Sequence, residues 1–279
     1  MRIDSHIFQI VLIGVLFIPM LNFFNFSLSF ILLVFWGLFC GAMYPDTDCK
    51  ESRIFKMKQD TSKIGWQSSY REYRTKRNAQ NIHNTLLFIY SSILIFLGSL
   101  FRYVLYYPSY GVVYLINKKW IKEDSMRDEH RGISHTLFGV FIASILFSIL
   151  LFFVNLYFRL ATPLFLIVIS LAFFFAGNLH LLQDSISKWG VKWLYPFRET
   201  TVFGDYSAFS QDIRMLYFVF ALIAFDVLVF FLTDYVKNNF ASLLLISTIL
   251  LPIIFLILSF LLLFKSCGIT FARQSPHGV

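Results

Sequence analysis

Long apolar stretches alternate with short polar ones along the chain, at about residues 7–24, 28–44, 84–116, 135–158, 161–181, 215–235 and 242–264. Most approach or exceed the roughly 18–20 apolar residues with which a helix crosses a bilayer core. The third is too long for one span. Arg102 and the run Tyr106-Tyr107-Pro108-Ser109-Tyr110-Gly111 interrupt its middle, and Pro with Gly marks a turn. Two short helices in a hairpin are therefore expected over 84–116. The whole pattern predicts an all-α fold, a polytopic helical membrane protein with about six to eight membrane segments.

Charge orients these segments. Lys50, Arg53, Lys56, Lys58, Lys63, Arg71, Arg74, Lys76 and Arg77 crowd one loop, and Lys118, Lys119, Lys122, Arg127 and Arg131 another. A hairpin at 84–116 puts both loops on the cytoplasmic side, as the positive-inside tendency favours. Lys188, Lys192, Arg198 and Arg214 then fall on the same side, with both termini, and only Arg102, Arg159 and Lys237 lie beyond the membrane. A multi-pass protein of the inner or plasma membrane is expected. Residues 7–24 read as a retained first helix, because Pro19-Met20-Leu21-Asn22 lacks the small residues of a signal-peptide cleavage site.

Composition agrees. The chain is 57% hydrophobic and 14% charged, against about 45–50% and about 25% for soluble domains. The net charge of +8 suits anionic headgroups, and its spread over three loops argues against a nucleic-acid partner. Cys40, Cys49 and Cys267 have neither disulfide-framework nor zinc-site spacing. Residues 1–279 read as one membrane-embedded domain, a core over 1–200 and two additional helices over 215–264. The polar stretch 49–82 reads as a surface insertion on or near the headgroups.

Five of the six histidines sit at cytoplasmic ends of these segments: His6, His83, His130, His135 and His180. Pro45-Asp46-Thr47-Asp48 closes the second segment. His180 and Asp184 are four apart and share a helix face. Asp46 and Asp48 are two apart, and extended backbone after Pro45 would point both the same way. His130 and His135 require Gly132 to turn the chain, with Ser134 placed to cap the next helix. Imidazoles with carboxylates form a mixed ligand set suited to zinc first, with manganese or iron as alternatives. Arg131 reads equally as a phosphate-binding fork or a positive-inside anchor. Trp189, Trp193, Tyr195 and Phe197 read as an interfacial turn, and Asp205 and Asp212 as solvated loop carboxylates.

These motifs in order resemble the YdjM-like family of inner-membrane-associated, metal-dependent hydrolases. The matching pieces are His6, Pro45-Asp46-Thr47-Asp48, His130-Arg131-Gly132-Ile133-Ser134-His135-Thr136, His180-Leu181-Leu182-Gln183-Asp184-Ser185-Ile186-Ser187 and Gly190-Val191-Lys192-Trp193-Leu194-Tyr195-Pro196-Phe197. The resemblance covers about residues 1–200. Cys49 stands where many relatives carry another His, residues 56–126 offer no matching motif, and the last two helices lie outside it.

The resemblance implies a metal site built from His6, Asp46, Asp48, His130, His135, His180 and Asp184. Distant similarity to zinc-dependent phospholipase C and P1-type nucleases implies a phosphoester substrate. In that scheme a metal-activated water attacks, Asp48 or Asp184 is the general base, and Arg131 stabilises the phosphoryl charge. The expected partners are membrane lipids, a phosphoester or lipid substrate in the cytoplasmic leaflet, and a cytoplasmic protein. The rival readings are a non-catalytic scaffold that binds a regulator through 49–82, and a transporter. A transporter predicts ionisable residues in mid-span, whereas these lie at span ends.

Overall fold

The structure, a computed structural model, describes residues 3–48, 92–116, 132–159, 162–198, 200–206, 213–239 and 244–272. The polar stretch 49–82, His83, His130, Arg131 and Asp212 lie outside the described residues. The helices are α1 (Ile3–Val15), α2 (Ile18–Phe23), α3 (Leu28–Met43), α4 (92–101), α5 (Tyr107–Ile116), α6 (Leu137–Phe158), α7 (Pro163–Ser185), α8 (Ile213–Asn239) and α9 (Leu244–Ser266). Among the described residues, four stretches are long and apolar enough to cross a membrane: Leu137–Phe158, Pro163–Ser185, Ile213–Val236 and Thr248–Ser266. Their outer faces carry Phe153, Leu171, Phe231 and Leu262 at roughly 60–70% exposure, which hydrocarbon accommodates and water would not.

One end of the bundle gathers the chain reversals that build the site. The Gly132 N–H donates to Asp48 Oδ2 at 3.0 Å, so the segment leaving α3 and the one entering α6 meet. The Tyr206 N–H reaches Ile186 O at 3.1 Å and the Asp205 N–H reaches Cys267 O at 2.9 Å, bringing the end of α7, the start of α8 and the end of α9 to this same end. Two three-residue strands, β1 (Thr201–Phe203) and β2 (Thr270–Ala272), pair antiparallel there.

The tightest packing inside the bundle is between α3 and α7. Gly37 and Gly41 form a G-x-x-x-G face of the kind that lets helix backbones approach closely in lipid. A Cβ on Gly37 would meet Ile169 O at 2.6 Å, and one on Gly41 would meet Phe173 O at 2.1 Å. This contact places the end of α3, with its aspartates, against the end of α7.

The turn that the expected hairpin places at 106–111 does not form within the described residues 92–116. Residues 92–101 are helical, pass into a π-helical segment at Arg102–Tyr106, and continue as α5 to Ile116 without a turn. Pro108 is accommodated because it falls in the first turn after the π segment, where the widened helix relaxes the demand for its missing N–H. Arg102 is also not on the far side. Its side chain is buried and lies 3.4 Å from Thr47 O, beside the site. The chain after Asp48 nevertheless returns to the end it left, because Gly132 binds Asp48.

Candidate metal centre

Pro45 ends α3 and starts a single 3-10 turn, Pro45–Thr47, tied down by the Thr47 hydroxyl donating to Tyr44 O at 2.7 Å. The backbone is therefore not extended, and Asp46 and Asp48 part company. Asp48 turns to the loop before α6, where its Oδ2 accepts from the Gly132 N–H at 3.0 Å and the Ser134 hydroxyl at 2.7 Å. It also lies 3.0 Å from His135 Nδ1. Ser134 does not cap α6. Thr136 does, accepting from the Gly139 N–H at 2.9 Å, while Ser134 joins Asp48 and Pro45 O.

Each of the three described histidines, His6, His135 and His180, is anchored through Nδ1, so that Nε2 faces inward. His180 Nδ1 lies 2.7 Å from Ala42 O. A carbonyl only accepts, so Nδ1 carries the proton and Nε2 of the neutral ring holds a lone pair. His6 Nδ1 lies 2.6 Å from Gln183 Oε1, and the His6 ring stacks on His180 with centroids 3.9 Å apart. His135 has Asp48 behind its Nδ1. Such backing of a ligand imidazole by a carbonyl or carboxylate is the usual construction of a metal site.

The inward atoms converge on two carboxylates. Asp184 Oδ1 lies 3.3 Å from His6 Nε2, and its Oδ2 lies 3.3 Å from His135 Nε2 and 3.7 Å from His180 Nε2. Asp46 Oδ1 lies 4.0 Å from His135 Nε2 and 3.9 Å from His180 Nε2. Two triads result, His6–His180–Asp184 and Asp46–His135–His180, with His180 common to both.

This donor set fits a transition metal. His180 Nε2 is buried and makes no hydrogen bond among the described residues. Its separations from Asp46 and Asp184 are too long for good hydrogen bonds, yet suit two ligands each about 2.0–2.2 Å from one ion. Burial pushes the Asp46 carboxyl up, but the neighbouring imidazoles of His180, His6 and His135 outweigh it and hold the group below its usual range. Burial alone would depress His135, but Asp48 and then Asp184 outweigh it and raise the ring from 6.5 to about 9.

A pH prediction follows from His135. Metal binding at Nε2 must release the proton that the metal-free site holds below about 9. Metal affinity is expected to rise about tenfold per pH unit from 7 towards 9 and then flatten. The stability of the metal-free protein runs the other way. The charged His135 contributes fully below 6.5, and that contribution is lost as pH rises through about 9. Titrating a chelator-buffered ion at several pH values reads the first trend. A second prediction concerns Asp48→Asn, which removes the carboxylate behind His135 and is expected to weaken metal binding about 10–100-fold, read by competition with a chromophoric chelator.

Among the residues read from the sequence, the structure brings together His6, Asp46, Asp48, His135, His180 and Asp184. Asp205 is exposed, as expected of a solvated loop carboxylate, and pairs with Arg214 at 2.6 Å. Trp193 is half-buried and Tyr195 turns inward. The Trp193 indole N–H donates to Ser185 Oγ at 2.6 Å and Tyr195 is buried, leaving Trp189 and Phe197 exposed. Sequence reading missed Gln183 and Arg102. Arg102 donates from Nε to the Tyr107 hydroxyl at 3.1 Å, and its guanidinium lies over the Tyr106 and Tyr107 rings. A charged residue inside an apolar segment was the available signal for it.

Fold and centre together define a class: polytopic helical membrane proteins with a buried histidine–aspartate cluster at one end of the bundle. Within that class the chain belongs to the YdjM inner membrane protein family, whose model matches residues 9–265. The match runs through α8 and most of α9, so the last two helices belong to the family fold, contrary to the expectation from motifs. His6 lies just ahead of the matched region. No curated protein and no solved structure matches the chain.

Proposed function

We propose that the protein is a membrane-bound, metal-dependent hydrolase acting on a phosphoester, with a membrane lipid as the substrate that the site's position favours. The observation that carries this reading is the convergence of three imidazole Nε2 atoms and two carboxylates in two buried triads that share His180. His6, His135, His180, Asp46 and Asp184 would hold the ion, zinc before manganese or iron. A bound divalent ion supplies Lewis acidity, which makes water acidic enough to attack near neutral pH and polarises a phosphoryl oxygen.

The chain's own groups have separable roles in this reading. Asp48, bound to Gly132 N, Ser134 and His135, orients His135 and is a positioning residue. Asp46 has the more exposed carboxylate of the two that face the histidines, with a side chain 10% exposed against 3% for Asp184, and is the better placed to take a proton from water. Asp184, with an oxygen toward each histidine, is committed to holding them. Arg131 keeps its proposed role at the phosphoryl group, and Ala42 O keeps His180 in the ligand tautomer.

The test is hydrolysis of phospholipid monoesters and diesters presented in bilayers to protein loaded with zinc or manganese. Chelation is expected to abolish turnover and resupply to restore it. Asp46→Asn is expected to lower kcat by about 10²–10⁴. Turnover that persists unchanged after chelation would contradict the proposal.

A further inference from the structure

Gln183 lies one residue before Asp184 on α7 and is 1% exposed. Its Oε1 faces His6 Nδ1 at 2.6 Å. If His6 offers Nε2 to the centre, its Nδ1 carries the proton, so the carbonyl end of the amide must face it. The NH2 end is thereby directed elsewhere, and Gln183 Nε2 is buried with no hydrogen-bond acceptor among the described residues. Asn178, little more than one turn earlier on the same helix, shows the ordinary solution. Its Nδ2 donates to Phe174 O at 2.8 Å. Gln183 spends its carbonyl on His6, a ligand of the centre, and keeps two buried N–H donors. A buried donor left unmade costs free energy in the resting protein, and pre-aimed amide donors are how active sites meet oxygen atoms that carry negative charge.

We propose that Gln183 is a substrate-binding residue of this centre: anchored through Oε1 to His6, it presents its NH2 to an oxygen of a bound phosphoryl group. This rests on the metal-dependent phosphoester reading above and extends it by naming the group that meets the anion. A neutral donor suits this place, because it gains a charge-assisted hydrogen bond from the anion without repelling the divalent ion next to it.

The amide's two ends make the proposal separable by substitution. Gln183→Glu keeps an acceptor for His6 but removes the donor, and Gln183→Met removes both without adding charge. Metal affinity and inorganic phosphate binding are measured on each detergent-purified protein by competition and by calorimetry at saturating zinc. Metal content is determined in every sample, so that a lost donor and a lost centre read differently. Wild type is expected to bind phosphate. Gln183→Glu is expected to hold metal as wild type does and to bind phosphate at least about tenfold more weakly, the usual worth of a hydrogen bond to a charged acceptor. Gln183→Met is expected to lose phosphate affinity to the same degree and to weaken metal about 10–100-fold, because His6 loses its partner. Phosphate affinity unchanged in zinc-saturated Gln183→Met would overturn the proposal. So would a wild type that holds zinc and binds no phosphate.

Discussion

Replacing Asp184 with alanine is expected to lower affinity for a divalent transition ion by at least about 100-fold while leaving the helical bundle folded. Among the described residues, Asp184 is the carboxylate that reaches all three histidines of the centre, Oδ1 toward His6 and Oδ2 toward His135 and His180. Removing it takes the carboxylate from the His6–His180 triad and also removes the oxygen 3.3 Å from His135 Nε2, whereas a change at His6 or Asp46 leaves that carboxylate in place. The loss of one charged ligand exceeds the roughly 10–100-fold assigned to second-sphere groups. The helix should survive, because alanine is the strongest helix former and the neighbouring contacts from Trp193 to Ser185 and from Tyr206 to Ile186 do not involve the carboxylate. The measurement is the rise in Tm that zinc produces in detergent. Binding to the native state alone stabilises by RT ln(1 + [L]/Kd), so the rise should be large in wild type and absent in Asp184→Ala. An equal rise in both would remove Asp184 from the centre.

Gly41→Leu is expected to do wider damage. The first carbon added at Gly41 would lie 2.1 Å from the carbonyl oxygen of Phe173 and 2.8 Å from its carbonyl carbon. Both are backbone atoms, so no rotamer change relieves the overlap, and α3 and α7 must separate. Overpacking typically costs roughly 1–3 kcal/mol, and a backbone clash in a helix pair belongs at or above the upper end. The consequence reaches the chemistry, because Ala42 O, the partner of His180 Nδ1 at 2.7 Å, is the next residue. Loss of metal binding together with a fall in Tm is the expected pair of results. Gly111→Leu is the control, since a Cβ there meets nothing within 4 Å. Equal behaviour of the two variants would show that close α3–α7 packing does not support the site.

The sequence made the membrane segments and most of the ligands legible for a physical reason. Apolar runs announce themselves by length, and a histidine or aspartate at a run's end stands against an apolar background. The i, i+4 pair His180 and Asp184 needs only helix geometry. The division between Asp46 and Asp48 was beyond reach, because it depends on a 3-10 turn and on Gly132 and Ser134 arriving from more than eighty residues away. Gln183 was hidden for the same reason, as its partner His6 is 177 residues distant. The hairpin misreading arose because Pro108 and Gly111 are turn formers locally, while a π segment just before Pro108 lets the helix continue. Pairing of Thr201–Phe203 with Thr270–Ala272 had no visible pattern, since three-residue strands are too short for alternation to show.

The measurement that bears most directly on the account is metal content by mass spectrometry of detergent-purified wild type beside a His180→Ala, Asp184→Ala variant. Stoichiometric zinc, manganese or iron in wild type, lost from a variant that still elutes as a folded protein, is the predicted result. Wild-type protein that retains no transition metal even after resupply would contradict it.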